Sequence, residues 1–227
     1  MPRENPLPEA NSFETWIFDL DNTLYQAATR VFDQIDARMK AFIGRELGLS
    51  PDDAFKLQKQ YFHAHGTTLR GLMLNHGTDP DAFLDFVHDI DHSVLQTDAR
   101  LAAAIAALPG RKLVFTNGTH HHAERTIDRL GLAHLFDAIF DIRAANYIPK
   151  PSREPYDVLI AAHNVTPSRA IMFEDSTANL KVPADLGMTT VWVRHDATFH
   201  RHGNTDHCHH VTEDLSAWLE DLKPLGV

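Results

Sequence analysis

The strongest constraint on the fold is how apolar, β-preferring runs alternate with helical patterns along the chain. TWIFD (Thr15 to Asp19), KLVFT (Lys112 to Thr116), AIMFE (Ala170 to Glu174) and TTVWV (Thr189 to Val193) read as buried strands, with AIFDI (Ala138 to Ile142) a weaker one. Helical patterns fill the later gaps: His121 to Leu130, closed by Gly131; Pro155 to His163; and Ala178 to Leu186, closed by Gly187. Such alternation implies βαβ units and a parallel sheet covered on both faces. Pro183 is a local conflict, because a proline inside a helix removes a donor and should kink or shorten it.

The interval from Tyr25 to Thr97 carries no strand pattern. Val31, Ile35, Met39, Phe42, Ile43 and Leu47 recur at helical spacing. Ser50-Pro51-Asp52-Asp53 is an N-cap followed by proline at the first helical position, Gly66 closes that helix, and Asp79-Pro80 repeats the start signal. A crossover between parallel strands needs only about a dozen residues. The excess implies a separate covering module, long enough for a four-helix bundle. The expected class is therefore α/β, with a Rossmann-like parallel core over 13–24 and 98–227. An all-helical insert covers 25–97 and a flexible tail covers 1–12.

Composition narrows the partners. Lys+Arg is 21 against 31 Asp+Glu, a formal charge of −10. That balance speaks against binding a nucleic-acid polymer, which needs a basic face. A small anion is still allowed, because a metal ion and a few local donors can reverse the field inside one pocket. No run approaches the roughly 18 apolar residues of a membrane span. The polar, proline-containing start lacks the apolar core of a secretory signal. The single cysteine, Cys208, fits a reducing, cytoplasmic compartment.

Chemistry-bearing residues stand at the ends of the strand runs. Phe18-Asp19-Leu20-Asp21-Asn22-Thr23 drives a strand into two carboxylates, which repel unless a cation lies between them. Thr116-Asn117-Gly118 offers a hydroxyl, an amide and flexible backbone just before a helix whose free N–H groups can face an anion. Glu174-Asp175 adds carboxylates suited to a hard cation such as Mg²⁺. Lys150 sits between Pro149 and Pro151, a rigid connection that fixes where its ammonium points. Singly, each has a plain reading as a turn, a helix start or a solvated charge. In this order, each at an element end, they form a set.

That set resembles the haloacid dehalogenase-like (HAD) superfamily: FDLDNT, TNG, the KP of IPKPSREPY, and EDSTAN match its motifs over residues 13 to about 193. Within it the chain is similar to pyrimidine 5′-nucleotidases, through FDLDNTLY, HGTTLRGLM, His122-Ala123 after FTNG, RLGLAHLFD and PKPSREPYD. The resemblance implies Asp19 as nucleophile and Asp21 as acid and then base. It implies Mg²⁺ held by Asp19, the Asp21 carbonyl and Asp175, with Glu174 acting through a bound water. Thr116 and the Asn117 and Gly118 backbone would hold phosphate oxygens, Lys150 would offset charge, and Asn179 would orient the metal ligands. The haloalkanoate dehalogenases of that superfamily keep no acid two residues past the nucleophile, because halide leaves without a proton, so with Asp21 present the resemblance points away from dehalogenation.

The insert is then a cap (C1-type) that chooses the leaving group, with Arg70 the candidate contact and a surface ion pair its plain alternative. Tyr25, Tyr61 and Phe62 offer stacking surfaces or ordinary core. Of His120-His121-His122, one ring could reach substrate. The histidines over 195–210 (His195, His200, His202, His207, His209, His210), around Cys208, offer a soft-metal site, but they lack regular ligand spacing and read as a solvated loop with adventitious metal affinity. The expected activity is Mg²⁺-dependent hydrolysis of a small phosphomonoester, foremost UMP or CMP. Sugar phosphates, a phosphomutase reaction and a non-enzymatic phospho-receiver are the alternatives. Oligomeric state stays open.

Overall fold

The computed structural model describes residues 6–195 and 204–222. Its centre is a six-stranded sheet in the order β3-β2-β1-β4-β5-β6, every neighbouring pair parallel. The strands are β1 (Thr15–Phe18), β2 (Arg111–Phe115), β3 (Ala138–Phe140), β4 (Ala170–Glu174), β5 (Thr189–Val193) and β6 (His210–Thr212). The helices are α1 (Val31–Leu47), α2 (Pro51–His65), α3 (Thr68–His76), α4 (Pro80–Val87), α5 (Ala99–Ala106), α6 (His120–Arg129), α7 (Arg153–His163), α8 (Thr177–Asp185) and α9 (Leu215–Glu220). Among the described residues no helix is long and apolar enough to cross a membrane.

The period of two along the strands divides the core. Trp16, Phe18, Val114, Ile171, Phe173, Val191 and Val193 join Leu101, Ile127 and Trp218 on one face, a cluster that continues into the insert. Ile17, Leu113, Phe115, Met172 and Trp192 face Tyr156, Leu159 and Leu180 of α7 and α8. Both faces are apolar because helices cover both, as a parallel sheet requires. β1 is central and fully buried, and Phe18 stacks on Phe173 with ring centroids 4.7 Å apart. Residues that end β1 and β4 therefore meet where connections leave the sheet in opposite directions, the usual ligand crevice of such sheets.

α1 to α4 all lie between β1 and β2. Ser50 caps α2 by accepting from Asp53 N at 3.2 Å, and Asp79 caps α4 by accepting from Asp81 N at 2.9 Å. Gly66 closes α2 at φ 83°, where an added Cβ would stand 3.2 Å from Pro151 Cδ and 3.3 Å from Lys150 O. The corner between α2 and α3 thus rests directly on the Lys150 loop. Arg143 bonds Asp81 at 2.8 Å and Asp85 at 3.2 Å, and Tyr147 bonds Asp81 at 3.0 Å, tying α4 to the loop after β3.

Three places differ from the sequence reading. Pro183 lies inside α8 without ending it, and the helix runs on to Asp185. The carbonyl one turn back, which proline cannot serve, is Asn179 O, and Tyr156 Oη donates to it at 2.6 Å. Within the stretch over 195–210, the described histidines are bonded to the core and are not those of a solvated loop. His207 Nε2 donates to Thr177 O at 2.6 Å, His209 Nδ1 accepts from Thr190 N at 3.0 Å, and His195 Nε2 donates to Asn22 O. His210 opens β6 and packs its ring on Trp218, while His200 and His202 lie outside the described residues. Of the tail expected over 1–12, residues 1–5 lie outside the described residues, and Ala10–Ser12 form a 3-10 turn with Ala10 buried.

Candidate active site

Asp19 follows β1 directly, and its N–H donates to Phe173 O at 2.9 Å, which fixes it beside the end of β4. Its Oδ2 accepts from Thr23 Oγ1 at 3.0 Å and its Oδ1 from Lys150 Nζ at 2.7 Å. Lys150 is 1% exposed; its ammonium also donates to Glu174 Oε2 at 2.7 Å and Phe115 O at 2.9 Å. Burial pulls the Lys150 pKa down, but Asp19 and Glu174 outweigh it and hold the ammonium above its ordinary value. Burial and then Glu174 push Asp19 up to about 7, with Lys150 opposing. Burial, Glu174 and Asp19 likewise push Asp175 well up.

Asp19, Glu174 and Asp175 bring carboxylate oxygens within 4.8 Å of one another. Three carboxylates face one ammonium, an excess that a divalent cation would balance. All donors are hard oxygens, the set that suits Mg²⁺. Glu174 already accepts from Lys150 and, through Oε1, from Ser176 N at 3.2 Å. The Asp21 carboxylate stands outside the triplet.

Asp21 turns the other way. Its Oδ1 accepts from Tyr25 Oη at 2.6 Å and from His122 Nε2 at 2.8 Å. Asn22, at φ 62°, makes the tight turn that follows. Burial alone would raise Asp21; the contact with His122, then Tyr25, brings it down to about 2. Tyr25 thus serves a carboxylate and not a substrate ring, and Tyr61 is core, its hydroxyl 2.7 Å from His76 Nε2. Of the three aromatics only Phe62 lines the cavity.

Thr116 Oγ1 accepts from Gly118 N at 2.8 Å. The Gly118 N–H expected at a phosphate is therefore committed to Thr116, whose own hydroxyl proton is left to donate. The Asn117 side chain is a clamp: Oδ1 accepts from Lys150 N at 2.9 Å and Nδ2 donates to Lys150 O at 3.2 Å. Among the described residues no group accepts from the Asn117 backbone N–H.

A cavity of about 750 Å³ joins these groups to the insert. Asp19, Asp21, Thr116, Asn117, Gly118, Lys150, Glu174, Asp175 and Asn179 line it from below, and Phe32, Met39, Phe62, Leu69 and Arg70 from above. Every site residue expected from sequence lies at this one cavity. The Arg70 guanidinium has no hydrogen-bond or ion-pair partner among the described residues, so it is not the surface ion pair of its plain reading.

The sequence reading named His122 without its partner and missed His88 and His92. His122, named from sequence only as one of three rings of which one could reach substrate, is 0% exposed and bonds Asp21 instead. His88 stacks on it at 4.6 Å between centroids, and His92 Nε2 is 3.2 Å from His122 Nδ1. His88 and His92 come from the connector after α4, which carries no motif. The available signal was His122 at the third position of α6, where a helix turns its side chains back toward the preceding loop.

The family model for haloacid dehalogenase-like hydrolases matches residues 13–187. The chain belongs to this family. Phosphate metabolism protein 8 of Saccharomyces cerevisiae is 28% identical over 193 residues; the match covers 77% of this chain and 60% of that protein, less than two thirds of its length. CbbY from Rhodobacter sphaeroides, solved in complex with phosphate, is 16% identical with a TM-score of 0.64, covering 94% of this chain and 97% of that one. The HAD hydrolase YfnB from Bacillus subtilis, bound to magnesium, is 16% identical with a TM-score of 0.62, covering 92% and 98%. L-2-haloacid dehalogenases share the fold as well. At such identities these structural likenesses speak of fold alone.

Proposed function

We propose that this HAD hydrolase is a Mg²⁺-dependent phosphomonoesterase that works through an aspartyl-phosphate on Asp19 and acts foremost on pyrimidine nucleoside 5′-monophosphates. The observation that carries the reading is the pair Asp19 and Asp21 at one cavity. The first is braced by Lys150 at 2.7 Å, and the second is held apart by His122 and Tyr25. A dehalogenase has no use for a second, separately held acid. The name of the yeast relative, the phosphate in CbbY and the magnesium in YfnB agree with this chemistry.

In the first step an Asp19 oxygen attacks phosphorus, the ester P–O bond breaks, and Asp21 gives its proton to the departing oxygen. The dianion entering beside Asp21 raises its proton affinity above that of the empty site. In the second step water attacks the same phosphorus and Asp21 takes its proton. The bond to Asp19 breaks, returning the carboxylate and releasing phosphate. Lys150 offsets charge on Asp19, and the Thr116 hydroxyl and Asn117 N–H hold phosphoryl oxygens. Asp19, Asp175 and the Asp21 backbone carbonyl would hold Mg²⁺, with Glu174 acting through a bound water. The ion supplies electrostatic stabilisation of phosphoryl charge. Asn179, fixed by the Tyr156 bond to its carbonyl, would orient that group of ligands.

Residues 25–97 serve as the cap over a core of 13–24 and 98–227. Its side of the cavity joins apolar Phe32, Ile35, Met39, Phe62 and Leu69 to the polar His63, His65, Thr67, Thr68, His88 and Arg70, which suits a leaving group with a flat apolar face and hydrogen-bonding edges, as a pyrimidine nucleoside has. The single cysteine suits a cytoplasmic setting. A phosphate-release screen over nucleotides and sugar phosphates, with and without Mg²⁺, tests the reading: UMP and CMP are expected to lead. A preference for sugar phosphates would move the substrate class while keeping the chemistry. No release from any ester would overturn both.

A further inference from the structure

We propose that His122 is the positioning residue for Asp21, and that His92 sets the His122 ring, so that a chain from the insert connector fixes which carboxylate oxygen transfers the proton. The proposal rests on the acid–base role given to Asp21 above.

The geometry is that of a pinned carboxylate. Both donors that reach Asp21, Tyr25 Oη at 2.6 Å and His122 Nε2 at 2.8 Å, converge on Oδ1. Among the described residues Oδ2 has no partner. Rotating the carboxylate would break two charge-assisted bonds, so Oδ2 is the oxygen left to meet the leaving group and later the water.

The His122 ring is itself fixed from several sides. Thr119, the N-cap of α6, accepts from His122 N at 3.2 Å, and its hydroxyl lies 3.2 Å from His88 Nδ1. The His88 ring stacks on the His122 ring with planes 8° apart. His122 Nδ1 meets His92 Nε2 at 3.2 Å, and His92 Nδ1 lies 3.2 Å from Ile90 O. The contacts Ile90 O–His92–His122–Asp21 therefore run from the connector after α4 to the acid–base carboxylate; with an acceptor at each end, making all three as hydrogen bonds takes three N–H protons on the two rings, one positive charge shared between them. Buried imidazoles are costly unless bonded. Filling space at the start of α6 needs only an apolar side chain, whereas His92 and His122 spend their ring contacts in one line that ends on Asp21, with His88 held beside it by Thr119.

The test is leaving-group dependence. UMP needs a proton at its departing alkoxide; p-nitrophenyl phosphate does not, because nitrophenolate leaves unprotonated. kcat/KM covers only the steps through that departure. If His122 positions Asp21, His122→Leu lowers kcat/KM for UMP about 10- to 100-fold but changes the p-nitrophenyl phosphate value less than about threefold. His92→Leu gives the same pattern, smaller. In an Asp21→Asn background, His122→Leu adds no further loss on UMP. Equal losses on both esters, or losses that multiply in the double variant, overturn the proposal and leave His122 a packing residue. Should His122→Leu fail to fold, His122→Gln, which keeps a donor, is expected to hold part of the UMP rate, and His92→Leu supplies the same comparison. If Asp21→Asn by itself leaves UMP turnover intact, the acid–base reading fails first, and this proposal with it.

Discussion

Lys150→Met removes the only cation that, among the described residues, contacts the carboxylates of Asp19 and Glu174, while keeping a chain of similar volume. Both contacts are 2.7 Å, and the three side chains are between 1% and 9% exposed. Breaking a buried pair in this way costs about 3–5 kcal/mol, because the charges left behind are neither solvated nor balanced. At about 2–4 °C per kcal/mol for a chain of this size, Tm of the metal-free protein should fall by roughly 6–20 °C. Asp19, already pushed up to about 7, can take a proton in place of the lost ammonium, so the fall should sit toward the lower end in mildly acidic buffer. Mg²⁺ should restore part of the lost Tm, since it supplies positive charge to the same carboxylates. Phosphate release should drop by about two to three orders of magnitude, the usual loss when a fixed donor to developing charge is removed. Thermal melts with EDTA and with Mg²⁺, beside a phosphate-release assay, read all three. A metal-free Tm within about 2 °C of wild type would show that the carboxylates do not depend on Lys150, and the charge arithmetic of the site would be wrong.

Thorough chelation should abolish phosphate release, and Mg²⁺ should restore it and raise Tm; full activity after chelation would remove the metal from Asp19 and Asp175. Arg70→Ala should lower kcat/KM for UMP and CMP about tenfold or more, the loss of a bond worth about 1.5–3 kcal/mol, and spare p-nitrophenyl phosphate. Equal losses on both substrates would give Arg70 a folding role. Gly71→Ala should destabilise by about 1–3 kcal/mol in a denaturant melt, because the new Cβ would stand 2.4 Å from Tyr61 Cβ and force α2 from α3.

Much of this site was legible because the residues that do chemistry stand where strands end. Asp19, Thr116 and Asp175 each follow directly from a hydrophobic run that can only be a buried strand, so their convergence follows from a parallel sheet. Lys150 was legible for another reason: the flanking prolines mark a rigid loop. What stayed hidden comes from long-range packing. The partners of Asp21 are His122 on α6 and, behind it, His92 from a connector with no periodicity. The edge strand His210–Thr212 hid inside a polar, histidine-rich stretch, since an edge strand buries too little to leave an apolar signature. Gly118 and Asn117 were found as a motif, but their bonds to Thr116 and Lys150 are decided by the loop's closed shape and not by its composition.

The most direct test of the proposed chemistry is the covalent state of Asp19 during turnover. Asp21→Asn should still accept the phosphoryl group from p-nitrophenyl phosphate, whose leaving group needs no acid, but should hydrolyse the adduct slowly for want of a base. Acid-quenching that variant with Mg²⁺ and p-nitrophenyl phosphate, then mapping its peptides by mass spectrometry, should place one phosphoryl group on the peptide containing Asp19. The same treatment of the Asp19→Asn, Asp21→Asn double variant should show none. A phosphoryl group on any other residue, or an unmodified Asp19 while nitrophenolate is still released in a burst, would contradict the aspartyl-phosphate mechanism.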